Sequence, residues 1–279
     1  MSETSVRGVI PLILGWERLP KSYSVHGDTS GAMLIEPVPA VLLDTDDGWT
    51  LLDTGFNTAL IRDLPLRERL HGRNHDITAI LPDGDGEPLE HALAAHGVRL
   101  ADVTRIYLSH LHNDHAGGLR LFDTSVPVWV QRSELEYGLA DHPFPERHGM
   151  FRIDYDDPDI DWHLLDGDTQ LAPGITAVLT PGHTPGHQSF VIDMPDGSGY
   201  VFAFDAGDLT ENFEQELAVG GFVHCEAEDT LPAIRRLKSI ADERGYRLIP
   251  GHDPVLWPQL LRELAPDAPA PTHTAPDEP

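Results

Sequence analysis

The chain has 279 residues, 40% of them hydrophobic, which is enough for one large domain or two small ones around a buried core. A formal net charge of −27 opposes binding to nucleic acid and to anionic membranes. The sequence contains no apolar run of about 18 residues, the length needed to span a bilayer. Because Cys225 is the single cysteine, no disulfide forms within the chain and the compartment is unconstrained or reducing. We expect a protein that binds neither nucleic acid nor membrane, and a cytoplasmic one because the N-terminus shows no leader pattern.

The first elements in chain order are two strands and a long loop region. The N-terminal 20 residues carry an apolar patch but no basic leader and no small-residue cleavage site, which favours mature sequence. The stretch AVLLDTDDGWTLLDTG, residues 40–55, predicts two strands around an Asp-Asp-Gly turn. From Phe56 to about Gly86 the pattern is irregular, and we expect a long loop region with room for one short helix.

Helices and strands alternate in the rest of the chain. EPLEHALAAHG predicts a helix, TRIYLSH a buried strand, VPVWVQ a strand and RSELEYGL a helix. Three strands follow in PGITAVLTPGH, QSFVIDM and GYVFAFDAGD, then a helix in AEDTLPAIRRLKSIADERG and a last strand in YRLIPGHDP. This order predicts an α/β layered domain over residues 1–264, followed by a Pro-rich, disordered tail at 265–279.

One stretch, SHLHNDHAGG at residues 109–118, places three histidines and an aspartate within six residues. In an extended segment residues two apart point the same way, so His110 and His112 can hold one ion together. Asp114 and His115 are adjacent and suit a second ion. Because four residues this close rarely all reach one ion, two metals about 3.5–4 Å apart, with further ligands from elsewhere, fit the spacing better.

The spacing His-x-His-x-Asp-His resembles the signature of the metallo-β-lactamase superfamily, whose later ligands match TPGHTPGH, FAFDAGD and IPGHDP. The resemblance implies an αββα sandwich with two divalent metal ions at one edge. The implied ligands are His110, His112 and His183 for one ion, Asp114, His115 and His252 for the other, and Asp205 as the bridge. Zn²⁺ is the expected ion, although iron, manganese and cobalt also accept histidine and aspartate ligands.

Longer stretches look like the N-acyl homoserine lactonases, which quench bacterial quorum signals. They are IYLSHLHNDHAGG, VPVWVQRSELEYGL, TPGHTPGHQSFVID and DLTENFEQELAVGGF, and the resemblance runs from about Ala40 to His252. It implies a small lactone or ester as the binding partner, with ring opening by attack of a metal-bridging hydroxide. Asp114, or Asp208 in its protonated form, would pass a proton to the leaving alkoxide.

One residue departs from that family. In its best-studied branch a tyrosine lies three residues after the bridging aspartate and hydrogen-bonds the substrate carbonyl, whereas this chain has Asp208 there. An ionised carboxylate cannot donate that hydrogen bond. The departure leaves hydrolysis intact but opens the identity of the substrate.

Alternative functions are a hydrolase of another lactone or ester and a glyoxalase II-like thioesterase. The thioesterase is disfavoured because the chain ends in a short acidic tail rather than a basic helical domain. A non-catalytic metal-binding or signal-sequestering protein is a further alternative, which metal content together with ester turnover would separate from an enzyme. The oligomeric state is open, with a homodimer as one alternative.

Other residues near the motifs have structural interpretations. Asp53 is expected to orient a ligand loop, and His187 to fix its own loop rather than bind metal. Gly117 and Gly118 are expected to let the backbone turn tightly beside the metals. Cys225 is expected to be buried or half-buried. Ordinary core positions are favoured over an acyl pocket for four large apolar residues, Trp16, Phe56, Met150 and Phe151.

Overall fold

The computed structural model describes residues 5–70, 77–141 and 149–274, and its strands form two sheets. The first sheet has seven strands in the order β4-β1-β2-β3-β5-β6-β7. Their bounds are β1 (Val6–Pro20), β2 (Met33–Thr45), β3 (Gly48–Leu52), β4 (Thr78–Ile80), β5 (Val103–Tyr107), β6 (Val128–Gln131) and β7 (Trp162–Leu165). Pairing is antiparallel from β4 to β3 and parallel from β3 to β7.

The second sheet has five strands in the order β12-β11-β10-β9-β8. Their bounds are β8 (Thr169–Ala172), β9 (Ile175–Leu179), β10 (Gln188–Asp193), β11 (Gly199–Phe204) and β12 (Arg247–Pro250). Pairing is antiparallel except between β11 and β12, which run parallel. The carboxyl ends of β11 and β12 therefore lie side by side.

Nine α-helices lie within the described ranges. They are α1 (Lys21–Ser24), α2 (Thr58–Arg62), α3 (Leu64–Leu70), α4 (Pro88–Ala94), α5 (Asn113–Ala116), α6 (Arg132–Leu139), α7 (Thr210–Glu214), α8 (Leu231–Arg244) and α9 (Leu256–Leu264). Short 3₁₀ turns occupy Leu100–Asp102, Gly117–Leu121, Arg152–Asp154 and Ala227–Thr230. None of the described helices is long and apolar enough to cross a membrane.

The two sheets pack face to face around a shared apolar core. Ile13 of β1 and Val41 of β2 face Phe190 of β10 and Phe202 of β11 there, and Trp257 of α9 closes the core. Burial of such side chains is the main favourable term in folding, at about 1.5–3 kcal/mol for each large residue.

Helices cover the outer faces of both sheets. Leu93 of α4 and Leu135 of α6 pack on the first sheet, and Ile234 and Leu237 of α8 pack on the second. The layers are thus helix, sheet, sheet and helix, which confirms the expected αββα sandwich. Such layering hides the apolar face of each element.

Helix α8 shows how closely the sequence pattern specifies some elements. Pro232 lies in its first turn, where a missing N–H costs nothing. Ile234, Leu237 and Ala241 recur at helical spacing in the sequence and form a buried apolar stripe on one face of α8. Gly245 ends the helix in the left-handed region with φ of 66°, which glycine adopts without strain.

The region from Phe56 to Gly86 holds more structure than expected. It contains α2, α3 and the short strand β4, and residues 71–76 lie outside the described part of the chain. The expectation of a single short helix is wrong, because three-residue β4 gains its stability from pairing with β1 rather than from its own sequence. Strands β1, β7 and β8 and helix α9 also lie where no element was predicted.

Part of the segment predicted as a tail contacts the domain. Ala265 is 7% exposed, and Thr272 and Thr274 donate side-chain hydrogen bonds to Asp83 at 3.0 and 2.8 Å. Residues 275–279 lie outside the described part of the chain. The domain boundary at residue 264 stays a prediction.

Candidate metal centre

Five loops that follow strands meet at one edge of the sandwich. On the first sheet, Asp53 follows β3 and the stretch 109–118 follows β5. On the second sheet, His183 follows β9, Asp205 follows β11 and His252 follows β12. All of these site residues are buried. The fold therefore gathers candidate ligands from distant parts of the chain.

Helix α5 begins between the two pairs of candidate ligands that follow β5. His110 and His112 lie in the extended segment before it, and His112 is the residue preceding its first turn. Asp114 and His115 lie within that turn. The rings of His110 and His115 remain close, with centroids 4.2 Å apart, although their ligand atoms belong to two different groups.

Gly117 and Gly118 allow a close approach of two backbone segments. A Cβ atom on Gly117 would lie 2.1 Å from the backbone nitrogen of Asn57, and one on Gly118 would lie 2.2 Å from the carbonyl oxygen of Thr54. Gly117 has an ordinary helical φ of −63°. The expected tight turn is therefore not the reason for glycine at this position, since contact with the segment after β3 leaves no room for a side chain.

One group of candidate ligands faces one side of Asp205. Nitrogen and oxygen atoms of His110, His112, His183 and Asp205 all lie within 4.8 Å of one another. Asp205 Oδ2 is 3.6 Å from His110 Nε2 and 3.1 Å from His183 Nε2. His183 Nε2 is 2.8 Å from His112 Nδ1.

A second group faces the other oxygen of the same carboxylate. Asp114, His115 and His252 also offer atoms within 4.8 Å of one another. Asp205 Oδ1 is 3.1 Å from His115 Nε2 and 3.0 Å from His252 Nε2. Asp114 Oδ2 is 3.1 Å from His115 Nε2. Asp205 thus directs one oxygen to each group, which is the arrangement of a carboxylate that joins two cations.

The polar atoms of the two groups fit metal ions better than they fit one another. His110 Nε2 and His115 Nε2 are buried and have no hydrogen-bond partner among the described residues, although carboxylate oxygens lie near both. Buried polar atoms without partners are rare and costly. Imidazole nitrogens and carboxylates are suitable ligands for zinc and for other first-row cations.

The charge states of His110 and Asp205 suit metal binding. Burial and the neighbouring His115 lower the pKa of His110 well below its usual value, so this imidazole keeps its lone pair at pH 7. Burial alone would raise the pKa of Asp205, but the imidazoles of His115 and His252 hold it well below the usual range. Asp205 is therefore an ionised carboxylate.

Asp53 holds His115 in place from behind. Its side chain is fully buried and accepts hydrogen bonds from the backbone N–H of Ser109 at 2.6 Å, from Ser109 Oγ at 2.6 Å and from His115 Nδ1 at 2.7 Å. With Nδ1 engaged, His115 directs Nε2 toward Asp114 and Asp205. Such outer partners fix the orientation of a ligand imidazole, and this is the geometry expected for Asp53.

Three other residues near the ligands bear on the sequence interpretations. His252 Nδ1 lies 2.9 Å from the carbonyl oxygen of Pro37, which orients Nε2 toward Asp205. His187 lies outside both ligand groups and its Nδ1 is 2.9 Å from Thr180 Oγ1. Cys225 is half-buried, and its thiol donates to the carbonyl oxygen of Gly182 at 3.0 Å.

Glu134 joins the two loops that carry the first ligand group. Its carboxylate is fully buried and accepts hydrogen bonds from the N–H of Leu111 at 3.0 Å, from Thr184 Oγ1 at 2.7 Å and from the N–H of Gly186 at 3.0 Å. Burial raises its pKa to about 7. Glu134 was not predicted as a site residue, because a glutamate within the helical stretch RSELEYGL is typical of a solvent-exposed position.

A cleft opens beside the two ligand groups. Apolar and aromatic side chains on its wall are Leu19, Tyr23, Ile77 and Phe222, and acidic ones outside the ligand set are Glu17, Glu36 and Asp208. Trp16, Phe56, Met150 and Phe151 are all buried, and the described lining of this cleft includes none of them. Their positions agree with the favoured core interpretation.

Asp208 lies close to the second ligand group. It is 7% exposed, and its side chain forms a third cluster with Asp205 and His252 within 4.8 Å. Burial and the charge of Asp205 raise the pKa of Asp208 well above its usual value.

Neither Glu17 nor Glu36 was predicted near the site. Each lies in a mostly apolar strand, and the sequence does not show which strands pair with each other.

Comparison with known proteins places this geometry in context. Residues 35–252 match the family model described as the metallo-beta-lactamase superfamily. The N-acyl homoserine lactonase AiiA of Bacillus thuringiensis subsp. kurstaki is 33% identical over 226 residues, which cover 81% of this chain and 84% of the relative.

Two solved structures are similar over nearly the whole chain. A mutant of AiiA from B. thuringiensis with N-decanoyl-L-homoserine bound at the active site is 28% identical, with a TM-score of 0.80 and coverage of 97% of this chain and 100% of that one. An N-acyl homoserine lactone hydrolase with the product N-hexanoyl-L-homoserine bound at the catalytic metal centre is 29% identical, with a TM-score of 0.79 and the same coverage, 97% and 100%.

Proposed function

The chain belongs to the metallo-β-lactamase superfamily, and within it to the group of the N-acyl homoserine lactonases, and from that premise we propose that it hydrolyses N-acyl homoserine lactones with two divalent metal ions. The proposed ions are zinc, because the donor set consists of imidazoles and carboxylates. A cytoplasmic location is part of this proposal, and a single cysteine, which forms no internal disulfide, is compatible with that reducing compartment.

The observation that carries the proposal is the position of Asp205. Its two oxygens face two separate groups of ligands, with His183 Nε2 at 3.1 Å from one and His252 Nε2 at 3.0 Å from the other. A site for a single ion would not need ligands on both sides of one carboxylate. The proposed ligand sets are His110, His112 and His183 for one ion, and Asp114, His115 and His252 for the other, with Asp205 shared.

The chemistry divides between the ions and the chain. When bound, two divalent cations lower the pKa of a water molecule between them toward neutrality and polarise a carbonyl oxygen. The protein holds the ligand atoms in place through Asp53 and Glu134, so little reorganisation is needed when charge develops on the substrate. Leu19, Tyr23 and Phe222 of the cleft exclude water from the rest of the substrate.

Ring opening produces an alkoxide that must gain a proton. Asp114 lies in the second ligand group and Asp208 lines the cleft beside it, so each is positioned to deliver one. We assign this role to Asp114, or to Asp208 in its protonated form. The presence of Asp208 also supports the alternative that the substrate is another lactone or ester. An ionised carboxylate at this position cannot donate a hydrogen bond to a substrate carbonyl.

The test is hydrolysis by the zinc-loaded protein, followed as proton release in weak buffer. Substrates are short- and long-chain N-acyl homoserine lactones, a simple γ-lactone and a glutathione thioester. We expect turnover of the acyl homoserine lactones, and loss of at least about 100-fold in kcat/KM with Asp205→Asn, since even outer partners of metal ligands are worth about 10–100-fold.

The matched control is Asp159→Asn, the same change at an exposed aspartate. It should keep both metal content and activity, whereas Asp205→Asn should lose both. Turnover of the thioester alone would overturn the lactonase proposal in favour of the glyoxalase II-like alternative. Absence of turnover on the whole panel by a protein with two bound zinc ions would favour a non-catalytic role.

A further inference from the structure

The cleft beside the ligands contains two glutamates that the proposed reaction does not use. Glu17 of β1 and Glu36 of β2 are direct partners in the antiparallel register of the two strands, and both line the cleft. Their side chains therefore leave the same face of the sheet with Cβ atoms about 4.5–5.5 Å apart. Burial raises the pKa values of both glutamates, that of Glu36 to about 7, so two like charges here are costly unless a cation lies between them.

Among the described residues, no lysine or arginine lines the cleft at this position. The charge of His252 acts on Glu36 and lowers its pKa, but this imidazole is a candidate metal ligand. Glu36 is 2% exposed and accepts one hydrogen bond, from Ser24 Oγ at 2.6 Å. A buried carboxylate needs an opposite charge or several donors, and a hydroxyl supplies only one donor.

Asp208 adds an acceptor on the metal side of the same cleft. It is 7% exposed, and its Oδ1 has no hydrogen-bond partner among the described residues. Its side chain lies within 4.8 Å of ligand atoms on Asp205 and His252. A substrate group that donates a hydrogen bond to Asp208 would therefore be only a few covalent bonds away from a carbonyl of the same molecule at the metal centre.

Two aromatic rings complete the wall. The ring centroids of Tyr23 and Phe222 are 5.7 Å apart. The backbone N–H groups of Gly220 and Gly221 donate to the carbonyl oxygen of Tyr23 at 2.8 and 2.6 Å, which fixes the loop against α1. Phe222 has a φ of 52°, a conformation that costs energy for a bulky residue. Aromatic faces attract ammonium groups electrostatically.

We propose that this cleft selects lactones or esters that carry a protonated amine next to the scissile carbonyl. Glu17, Glu36 and Asp208 accept hydrogen bonds from the ammonium group, and Tyr23 and Phe222 cover it. The inference rests on the proposed lactone hydrolysis, and it changes the favoured substrate from an N-acyl lactone, whose amide is neutral, to a lactone or ester with a free ammonium group.

The balance of the reaction is unchanged by the amine. Water adds to the carbonyl carbon, the ring C–O bond breaks, and the products are a carboxylate, an alcohol and one released proton. The ammonium group keeps its protons throughout. Asp208 then accepts a hydrogen bond from the ammonium group, which leaves proton delivery to the alkoxide to Asp114.

The test compares three lactones at a pH where the amine is protonated. They are α-amino-γ-butyrolactone, its neutral isostere α-methyl-γ-butyrolactone, and an N-acyl homoserine lactone. We expect kcat/KM for the amino lactone to exceed that for the methyl lactone by about 10- to 100-fold, mainly through KM, the range for hydrogen bonds to charged groups.

Glu17→Gln and Glu36→Gln each remove one ionisable carboxyl group of the cleft while keeping side-chain shape. Each should lower that preference by about 10-fold and leave turnover of the methyl lactone within about threefold. Glu90→Gln, at an exposed position on α4, is the matched control and should keep the preference. Zinc content and melting temperature, measured for every variant, show whether the centre and the fold are intact.

The outcomes separate this inference from the proposed function. If the methyl or the N-acyl lactone is hydrolysed at least as well as the amino lactone, lactone hydrolysis stands and the inference is wrong. If Glu17→Gln and Glu36→Gln lower the turnover of all three lactones by the same factor, the two glutamates do not select the amine and the inference is also wrong. If no lactone reacts with the zinc-loaded protein, the proposed function itself fails.

Discussion

At the scale of single residues, the centre depends on side chains that touch ligands rather than metal. Asp53 accepts three hydrogen bonds, two of them from Ser109 and one from His115, and it does so with a φ of 57°. Aspartate and asparagine tolerate this left-handed conformation better than other non-glycine residues. The position thus combines a backbone requirement with an acceptor requirement, and asparagine meets only the first.

This difference makes Asp53→Asn an informative variant. The backbone should be unchanged, but one acceptor becomes an N–H₂ group and the carboxylate charge behind His115 disappears. We expect metal affinity or activity to fall by about 10–100-fold, as for outer partners in other metal sites. Competition for zinc against a chelator measures the affinity, and an affinity equal to that of the unmodified protein would contradict the assigned role of Asp53.

At the scale of elements, buried polar contacts connect pieces that the sheets alone do not fix. Asp154, in the turn Arg152–Asp154, accepts a hydrogen bond from Asn57 Nδ2 at 2.7 Å. Asn57 in turn accepts from the N–H of Ala59 at 3.2 Å and caps α2. Burial raises the pKa of Asp154 to about 7. Burial of Asp154 therefore makes stability depend on pH, and the hydrogen bond from Asn57 opposes part of that rise in pKa.

The sign of that dependence follows from the direction of the shift. Because the folded pKa of Asp154 lies above the unfolded one, the folded protein binds the proton more tightly. The stabilisation is complete below about pH 4 and is lost as pH rises through about 7, with a total of a few kcal/mol. Asp154→Asn should flatten this part of the unfolding free energy against pH.

Chemical denaturation at several pH values measures the effect. Glu36 and Glu134 also have pKa values raised to about 7 by burial, so the relevant quantity is the difference between the protein and its variant. Asp159→Asn, at an exposed position, should leave the slope unchanged. Equal slopes for the protein and Asp154→Asn would show that Asp154 does not carry the expected contribution.

At the scale of the whole molecule, the candidate ligands connect the two sheets. His110, His112, Asp114 and His115 follow a strand of the first sheet, whereas His183, Asp205 and His252 follow strands of the second. Bound cations would therefore clamp the sandwich at this edge. They would also offset part of a net charge of −27, which opposes compaction.

Removal of metal should therefore destabilise the entire domain. We expect chelation to lower the melting temperature by on the order of 10 °C, and added zinc to restore it, since ligands that bind only the folded state stabilise it by several kcal/mol. The readout is thermal unfolding followed by circular dichroism. Asp205→Asn should show a much smaller response to the chelator, and the clamp is excluded if chelation leaves the melting temperature of the intact protein unchanged.

The family, the layered α/β architecture and the candidate ligands could all be predicted from the amino-acid sequence. Local spacing carried this information, because His110, His112, Asp114 and His115 lie within six residues and each later ligand follows a recognisable strand. Helix α8 was predictable for the same reason, since its apolar stripe and Gly245 act within one element. These features depend on the chain's own neighbours.

Contacts between side chains that are distant in sequence could not be predicted, because they depend on the tertiary structure. Glu134 joins two ligand loops, and Glu17 faces Glu36 across β1 and β2, through contacts that no local pattern encodes. Strand β1 escaped prediction because its buried run shows no clean alternation, and three-residue β4 exists through pairing with it. Gly117 is required by the approach of Asn57, 60 residues earlier. Burial and pairing between remote segments, rather than local propensity, set these features.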